Sequence, residues 1–207
     1  MKVIGLTGGS GSGKSVAASF LASRGGLVID ADAVYHRLIS KKGRCTRALA
    51  RAFGPDILRA DGTLDRGKLA KTVFAADGKE ALSLLDRTVH PIVMRQVRRL
   101  LARAKESGVP YVVFDAPQLF EAGGDRLCDC TVGVLSERPL RVARLGARDA
   151  LPEDEISRRL DAQLPDAFFR ERCDFILENN GTTEDLEAAC EDLLSRIGVP
   201  CPDRRDL

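Results

Sequence analysis

Five short apolar runs punctuate the chain: Val3-Ile4-Gly5-Leu6, Leu27-Val28-Ile29, Tyr111-Val112-Val113-Phe114, Thr131-Val132-Gly133-Val134-Leu135 and Phe175-Ile176-Leu177. Each is nearly uninterrupted in apolar character and is bounded by Gly, Pro, Asp or Asn. That pattern predicts strands covered on both faces, the habit of a parallel sheet. Between the runs the apolar period becomes helical. Ser15–Arg24 lines up Val16, Ala17, Phe20 and Leu21, and Leu186–Ile197 lines up Leu186, Ala189, Cys190, Leu193, Leu194 and Ile197. Strand and helix in alternation predict a doubly wound α/β fold.

One stretch departs from the alternation. From about residue 41 to about 107 no strand pattern occurs, while amphipathic pieces (Lys68–Phe74, Lys79–Val89, Ile92–Lys105) follow one another. This reads as a helical insertion. A second polar stretch, Glu137–Gln163, is dominated by arginines and acids and is expected to face solvent. The 207 residues therefore predict a single domain. Its core covers about 1–40 and 108–200, its insertion about 41–107 and a lid about 137–163. With no repeat and no Pro/Gly/Ser-rich linker, the insertion is expected to pack on the core. The polar tail Cys201–Leu207 reads as disordered.

Composition narrows the class. Hydrophobic residues at 44% and charged residues at 30% exclude a disordered or collagen-like chain. Basic side chains number 32 against 30 acidic, giving a net charge of +2, so bulk charge offers no case for nucleic-acid binding. Few aromatics and no Trp argue against base-stacking platforms. Neither a signal-peptide pattern nor about 18 consecutive apolar residues is found, so no membrane span is expected. The six cysteines (Cys45, Cys128, Cys130, Cys173, Cys190, Cys201) form no C-x-x-C pair. They read as reduced thiols of a cytoplasmic protein, with Cys128-Asp129-Cys130 as half-buried residues rather than a metal pair. No sequence feature fixes an oligomeric state.

The chemistry concentrates in Gly8-Gly9-Ser10-Gly11-Ser12-Gly13-Lys14-Ser15. It fits G-x-x-x-x-G-K-[ST], directly after the first strand and at the opening of the first helix, the setting that pattern requires. Glycines let successive N–H groups turn inward around phosphate oxygens, and the helix N-terminus adds unpaired donors. Lys14 can reach the β- and γ-phosphates and the Ser15 hydroxyl can ligate Mg²⁺. A nucleoside triphosphate site is expected. GTPase elements (D-x-x-G, N-K-x-D) and an ABC signature are absent.

Asp30-Ala31-Asp32 closes the second strand run, where ligands of open α/β sheets bind. Either carboxylate is a candidate for accepting a proton from an attacking hydroxyl or for holding a metal-bound water. The competing reading is a helix cap, stronger for Asp30 than for Asp32. Arg141, Arg144 and Arg148 fall on one helical stripe. Two readings stand: a lid that grips phosphate, or a solvated face paired with Glu137, Asp149 or Glu153.

Taken in order, these elements resemble dephospho-CoA kinases nearly end to end. The match runs through Gly5–Gly9 with Gly11–Ser15, Asp30-Ala31-Asp32, Leu64-Asp65-Arg66, His90-Pro91 and Asp115-Ala116-Pro117 with Leu119-Phe120-Glu121. It continues through Arg144, Arg148, Gln163 and Asp174 to Gly181. The resemblance implies a five-stranded parallel sheet and ATP-dependent phosphorylation of the ribose 3′-hydroxyl of dephospho-CoA. ATP, Mg²⁺ and dephospho-CoA are then the ligands. By similarity Asp32 is the base, Lys14 and Arg144 act on the phosphates, and Arg66 and His90 lie near the acceptor. Gly11, Ser12, Gly13, Lys14, Ser15, Val16, Arg144 and Arg148 hold the nucleotide, with Asn179 near the adenine and Ser15 on the metal. A nucleoside monophosphate kinase is the alternative enzyme, and a non-catalytic nucleotide-binding module the alternative class.

Three positions depart from the family's habit. Val16 stands where Thr is usual, Arg141 where Gln is common, and Gln118 within the usual Pro-Leu-Leu-Phe-Glu. His90-Pro91 has a second reading, as the start of a helix. Asp115 reads either as a second metal-shell carboxylate or as a strand-end cap, and Asp65-Arg66 has the reading of a surface ion pair.

Overall fold

A computed structural model of the chain describes residues 1–74 and 78–199; the tail Cys201–Leu207 lies outside them. The five apolar runs are strands: β1 (Lys2–Thr7), β2 (Leu27–Asp30), β3 (Tyr111–Asp115), β4 (Cys130–Leu135) and β5 (Phe175–Glu178). They form one sheet in the order β2-β3-β1-β4-β5, with β1 parallel to both β3 and β4, and β4 parallel to β5. β1 is the centre, so the chain leaving it passes first to one side of the sheet and later to the other. The crevice at such a switch point is where an α/β sheet receives its ligand.

The chain divides into two compact units, Met1–Ile29 with the segment from Arg103 onward, and Asp30–Ala102. In the first, the core is built as the apolar runs require. Ile4, Leu6, Val113, Val132 and Val134 are wholly closed off and pack with Leu21 of α1 (Lys14–Ser23) and Leu194 of α9 (Thr183–Arg196). Each fully buried side chain of that size contributes about 1.5–3 kcal/mol. Tyr111 is buried as well, and its hydroxyl donates to the Leu21 carbonyl at 2.6 Å, which satisfies the one polar atom it carries inward. A capping box starts α9: the Thr182 hydroxyl accepts from Asp185 N–H at 3.2 Å and the Asp185 carboxylate accepts from Thr182 N–H at 2.8 Å.

The polar stretch after β4 forms α6 (Arg138–Asp149) and α7 (Glu153–Asp161), followed by α8 (Asp166–Arg172). It is less solvent-facing than its charge suggests. Leu145, Ile156 and Leu160 make an apolar cluster of their own, and Arg141 is only 8% exposed.

The second unit is helical, as the missing strand pattern predicts: α2 (Ala31–Ile39), α3 (Arg44–Phe53), α4 (Arg66–Val73) and most of α5 (Gly78–Glu106). Its only described extended pairing is an isolated bridge, Leu58 to Leu64. Asp30 caps α2, its carboxylate accepting from Ala33 N–H at 3.0 Å. Asp30→Ala is expected to cost about 1 kcal/mol and to lower the thermal midpoint by about 2–4 °C in a scanning experiment. An unchanged midpoint would show that this bond adds nothing. The helix-start reading of His90-Pro91 is corrected: Pro91 lies inside α5, one helix of 29 residues, where two amphipathic pieces were expected. Proline removes one donor to the carbonyl four residues back and disfavours helix, yet a long buried face outweighs that local cost. Val89, Val93, Met94 and Val97 supply that face on both sides of Pro91. No described helix is long and apolar enough to cross a membrane.

Candidate active site

The loop between β1 and α1 is shaped by glycines and held by long-range side chains. Gly13 is the N-cap of α1 with φ 94°, and a Cβ there would sit 2.0 Å from the Asn179 Nδ2. No other residue fits. Gly13→Ala is therefore expected to abolish ATP binding measured by calorimetry, through both a disfavoured φ and displacement of Asn179. Val16 donates its N–H to the Gly13 carbonyl at 2.9 Å, so its backbone belongs to the helix start, while its side chain is exposed. Ser12 is buried, and its hydroxyl has no hydrogen-bond partner among the described residues. A buried orphan hydroxyl inside a ring of loop amides suits an oxyanion that supplies the missing acceptor.

Strand register brings Asp115 to this loop. Leu6 of β1 is paired with Asp115 of β3, one residue before β1 ends. Lys14 donates to the Asp115 carboxylate, and both side chains are largely closed off. Asp115 is therefore a partner of the phosphate-loop lysine, more than a strand-end cap.

On the other side, Arg144 ties β4, β5 and the loop together. Its guanidinium donates to Ser136 Oγ at 3.1 Å, to the Asn179 carbonyl at 3.1 Å and, at 3.4 Å, to the Gly11 carbonyl. Asn179, itself buried, donates from Nδ2 to the Ser12 carbonyl at 2.8 Å and from its backbone to Leu135 O at 2.7 Å. Its side-chain amide thus braces the loop. Arg141 also reaches the loop, at Ser10, where Gln163 joins it. Burial lowers the Arg141 pKa, and Asp166 opposes that shift.

The third arginine of the stripe differs. Arg148 is exposed and makes a two-pronged pair with its neighbour Asp149, at 2.6 and 2.8 Å, and Arg159 joins the same carboxylate. Those bonds raise the Arg148 pKa and lower that of Asp149. Arg148 thus sits in a surface ion pair with Asp149, whereas Arg141 and Arg144 donate to carbonyls of the phosphate loop. Spacing places three guanidiniums on a stripe, but side-chain reach and local acids decide where each one points.

Three site residues named from the sequence belong to the second unit. Asp32 is exposed in the first turn of α2. Arg66 opens α4, whose cap is Asp65 accepting from Lys68 N–H at 3.1 Å. The Asp65–Arg66 surface pair is thus replaced by a cap, and that backbone bond lowers the Asp65 pKa. His90 Nε2 lies 3.7 Å from Asp86 Oδ1, one helical turn earlier. Tyr35 shares this neighbourhood: its pKa is raised first by burial and then by Cys45, while Arg66 lowers it and Asp86 raises it. The sequence reading missed Tyr35 and Asp86; the i, i+4 spacing of Asp86 to His90 was the available signal. It also missed Ser136, whose signal was its place just past the end of a strand. The five described cysteines are free thiols. Burial drives the thiol of Cys128 up to about 12 and that of Cys45 up to about 11, so neither is a nucleophile near neutral pH.

A Gly-rich loop at the switch point of a parallel sheet, with a lysine and an arginine converging on it, defines a phosphate-loop phosphotransferase of the α/β class. The model of the dephospho-CoA kinase family matches residues 2–185. The chain belongs to that family. A dephospho-CoA kinase of Corynebacterium glutamicum is 41% identical over 194 residues, covering 94% of this chain and 96% of the relative. A crystal structure of a Thermus thermophilus protein superposes with a TM-score of 0.78 at 37% identity, covering 95% of this chain and 97% of that one. A dephospho-CoA kinase from Campylobacter jejuni, at 21% identity and a TM-score of 0.61 over 95% and 97% of the two chains, shares the fold.

Proposed function

We infer that the chain transfers the γ-phosphoryl group of ATP to the ribose 3′-hydroxyl of dephospho-CoA, giving coenzyme A and ADP, the last step of coenzyme A synthesis. The carrying observation is one glycine loop that contains Lys14, paired with Asp115, and the orphan Ser12 hydroxyl, and that accepts a hydrogen bond from Arg144. The loop amides and the N-terminus of α1 hold the β- and γ-phosphates. Lys14 leaves Asp115 for the phosphates, and Arg144 offsets charge that develops on the transferred group. Arg148 breaks from Asp149 to join it. Asp32 accepts the proton of the attacking hydroxyl, and Arg66 and His90 hold the acceptor. Asn179 lies beside the nucleotide through its hold on Ser12.

Magnesium fits the donors present. The Ser15 hydroxyl and the Asp115 carboxylate are hard oxygens, and this ion takes one or two protein oxygens beside substrate phosphates. Among the described residues no cluster of three or more His, Cys, Asp or Glu offers a fuller cage. When bound, the ion neutralises charge on the β- and γ-oxygens. With ATP as donor, we place the reaction in the cytoplasm.

The test is ADP release with dephospho-CoA as the sole acceptor, run beside AMP, CMP and GMP. Turnover with dephospho-CoA far above the nucleotides is expected. Turnover with a monophosphate alone would favour a nucleoside monophosphate kinase. ATP binding without acceptor-dependent ADP would leave a non-catalytic module.

A further inference from the structure

Ser10 sits in the outer turn of the phosphate loop, and every polar group it owns is engaged from a distant part of the chain. Its N–H donates to Gln163 Oε1 at 3.0 Å, and its carbonyl accepts from Arg141 Nε at 2.9 Å. Its hydroxyl accepts from Gln163 Nε2 at 2.6 Å. The two clamping side chains are themselves joined, Arg141 Nη2 donating to the same Gln163 Oε1 at 2.7 Å. Arg141 Nη1 stands 3.5 Å from Asp166. Together they fill the flank of the loop: a Cβ on Gly9 would lie 2.3 Å from Arg141 Nη2 and 2.8 Å from Gln163 Oε1.

Arg141 is only 8% exposed, so its side chain has given up most of its water, and its short bonds go to loop backbone and an uncharged amide. Neither side chain is used by the phosphoryl-transfer scheme above. We propose that Arg141 and Gln163 are positioning residues for ATP, acting through Ser10 to hold the phosphate loop in its binding shape before the nucleotide arrives. This rests on reading the loop as an ATP site and is independent of the acceptor's identity. A loop already ordered binds without the loss of freedom that a loose one suffers. Arg141 belongs to α6 and Gln163 to the connection between α7 and α8, so displacement of the lid acts directly on the loop's outer turn.

Calorimetry with MgATP on four variants tests the clamp. Gln163→Leu removes all three of its bonds, and Arg141→Ala removes the other half. Gln163→Glu keeps both acceptor bonds and takes the Ser10 hydroxyl as donor. Gln163→Leu and Arg141→Ala are each expected to weaken ATP binding about tenfold or more, while Gln163→Glu stays within about threefold of the native protein. The double variant, Arg141→Ala with Gln163→Leu, should be little worse than the weaker single one, because the bonds form one unit. At saturating ATP, kcat should change less than about threefold, a KM-against-kcat split that general loosening of the fold would not give. Native ATP affinity in Gln163→Leu, or equal loss in Gln163→Leu and Gln163→Glu, would overturn the clamp. If the native enzyme failed to phosphorylate dephospho-CoA, the proposed acceptor would fall while this affinity series still decided the role of Arg141 and Gln163.

Discussion

Replacing Lys14 with alanine is expected to lower kcat/KM with ATP and dephospho-CoA by about 10³-fold. Two unit charges about 4 Å apart at an effective dielectric near 20 interact by about 4 kcal/mol, which is about a thousandfold in rate if realised in the transition state. The Lys14 side chain is only 16% exposed, which supports that dielectric. The same substitution takes from Asp115 its ammonium partner, so a stability loss of about 2 kcal/mol is expected, short of the roughly 3–5 for a fully buried pair. Lys14→Arg separates the effects. It keeps a cation beside Asp115 and should recover much of the stability. It should not recover the rate, because a planar fork does not replace a compact ammonium among phosphate oxygens. Stopped ADP-release assays and thermal unfolding read the two quantities. A Lys14→Ala enzyme within tenfold of native would refute the assignment.

Asp32→Asn should lower kcat by about 10²–10⁴-fold, the usual worth of a positioned general base, with ATP affinity nearly unchanged. Asparagine keeps the shape and loses the ability to take a proton. Asp32 is exposed in the first turn of α2, where a negative charge also complements the helix dipole. The charge-removing variant should therefore lose about 0.3–1 kcal/mol of stability and no more. The cap of α2 belongs to Asp30, so the helix itself survives. Turnover of Asp32→Asn near the native rate would remove Asp32 as the base. A parallel collapse of ATP binding would make it a nucleotide-site residue instead.

Which parts of this site can be read without coordinates follows from how far apart the interacting residues lie. The cap by Asp30 is a contact over three residues, and an acid at a strand-to-helix junction announces it. The same holds for the phosphate loop, whose glycines, lysine and serine are contiguous. The Lys14–Asp115 pair spans 101 positions, and the Arg141–Ser10 bond spans 131. Nothing local in the sequence marks either one. Arg148 is a local case again: of the two readings its stripe leaves open, the pairing found is with Asp149, the adjacent acid. Pro91 misled because local helix rules carry no term for a face buried along a 29-residue helix.

By itself the sequence determined the five strands to within one residue at each end, the class of sheet they form and the glycine-rich turn that joins β1 to α1. Those features depend on apolar period and on backbone freedom at contiguous positions, which neighbouring residues dictate. Only the tertiary structure decided the strand order, the partner of Lys14 and the inward turn of Arg141. Each of these joins residues far apart along the chain, and their closeness is set by how the helices and sheet bury their apolar faces.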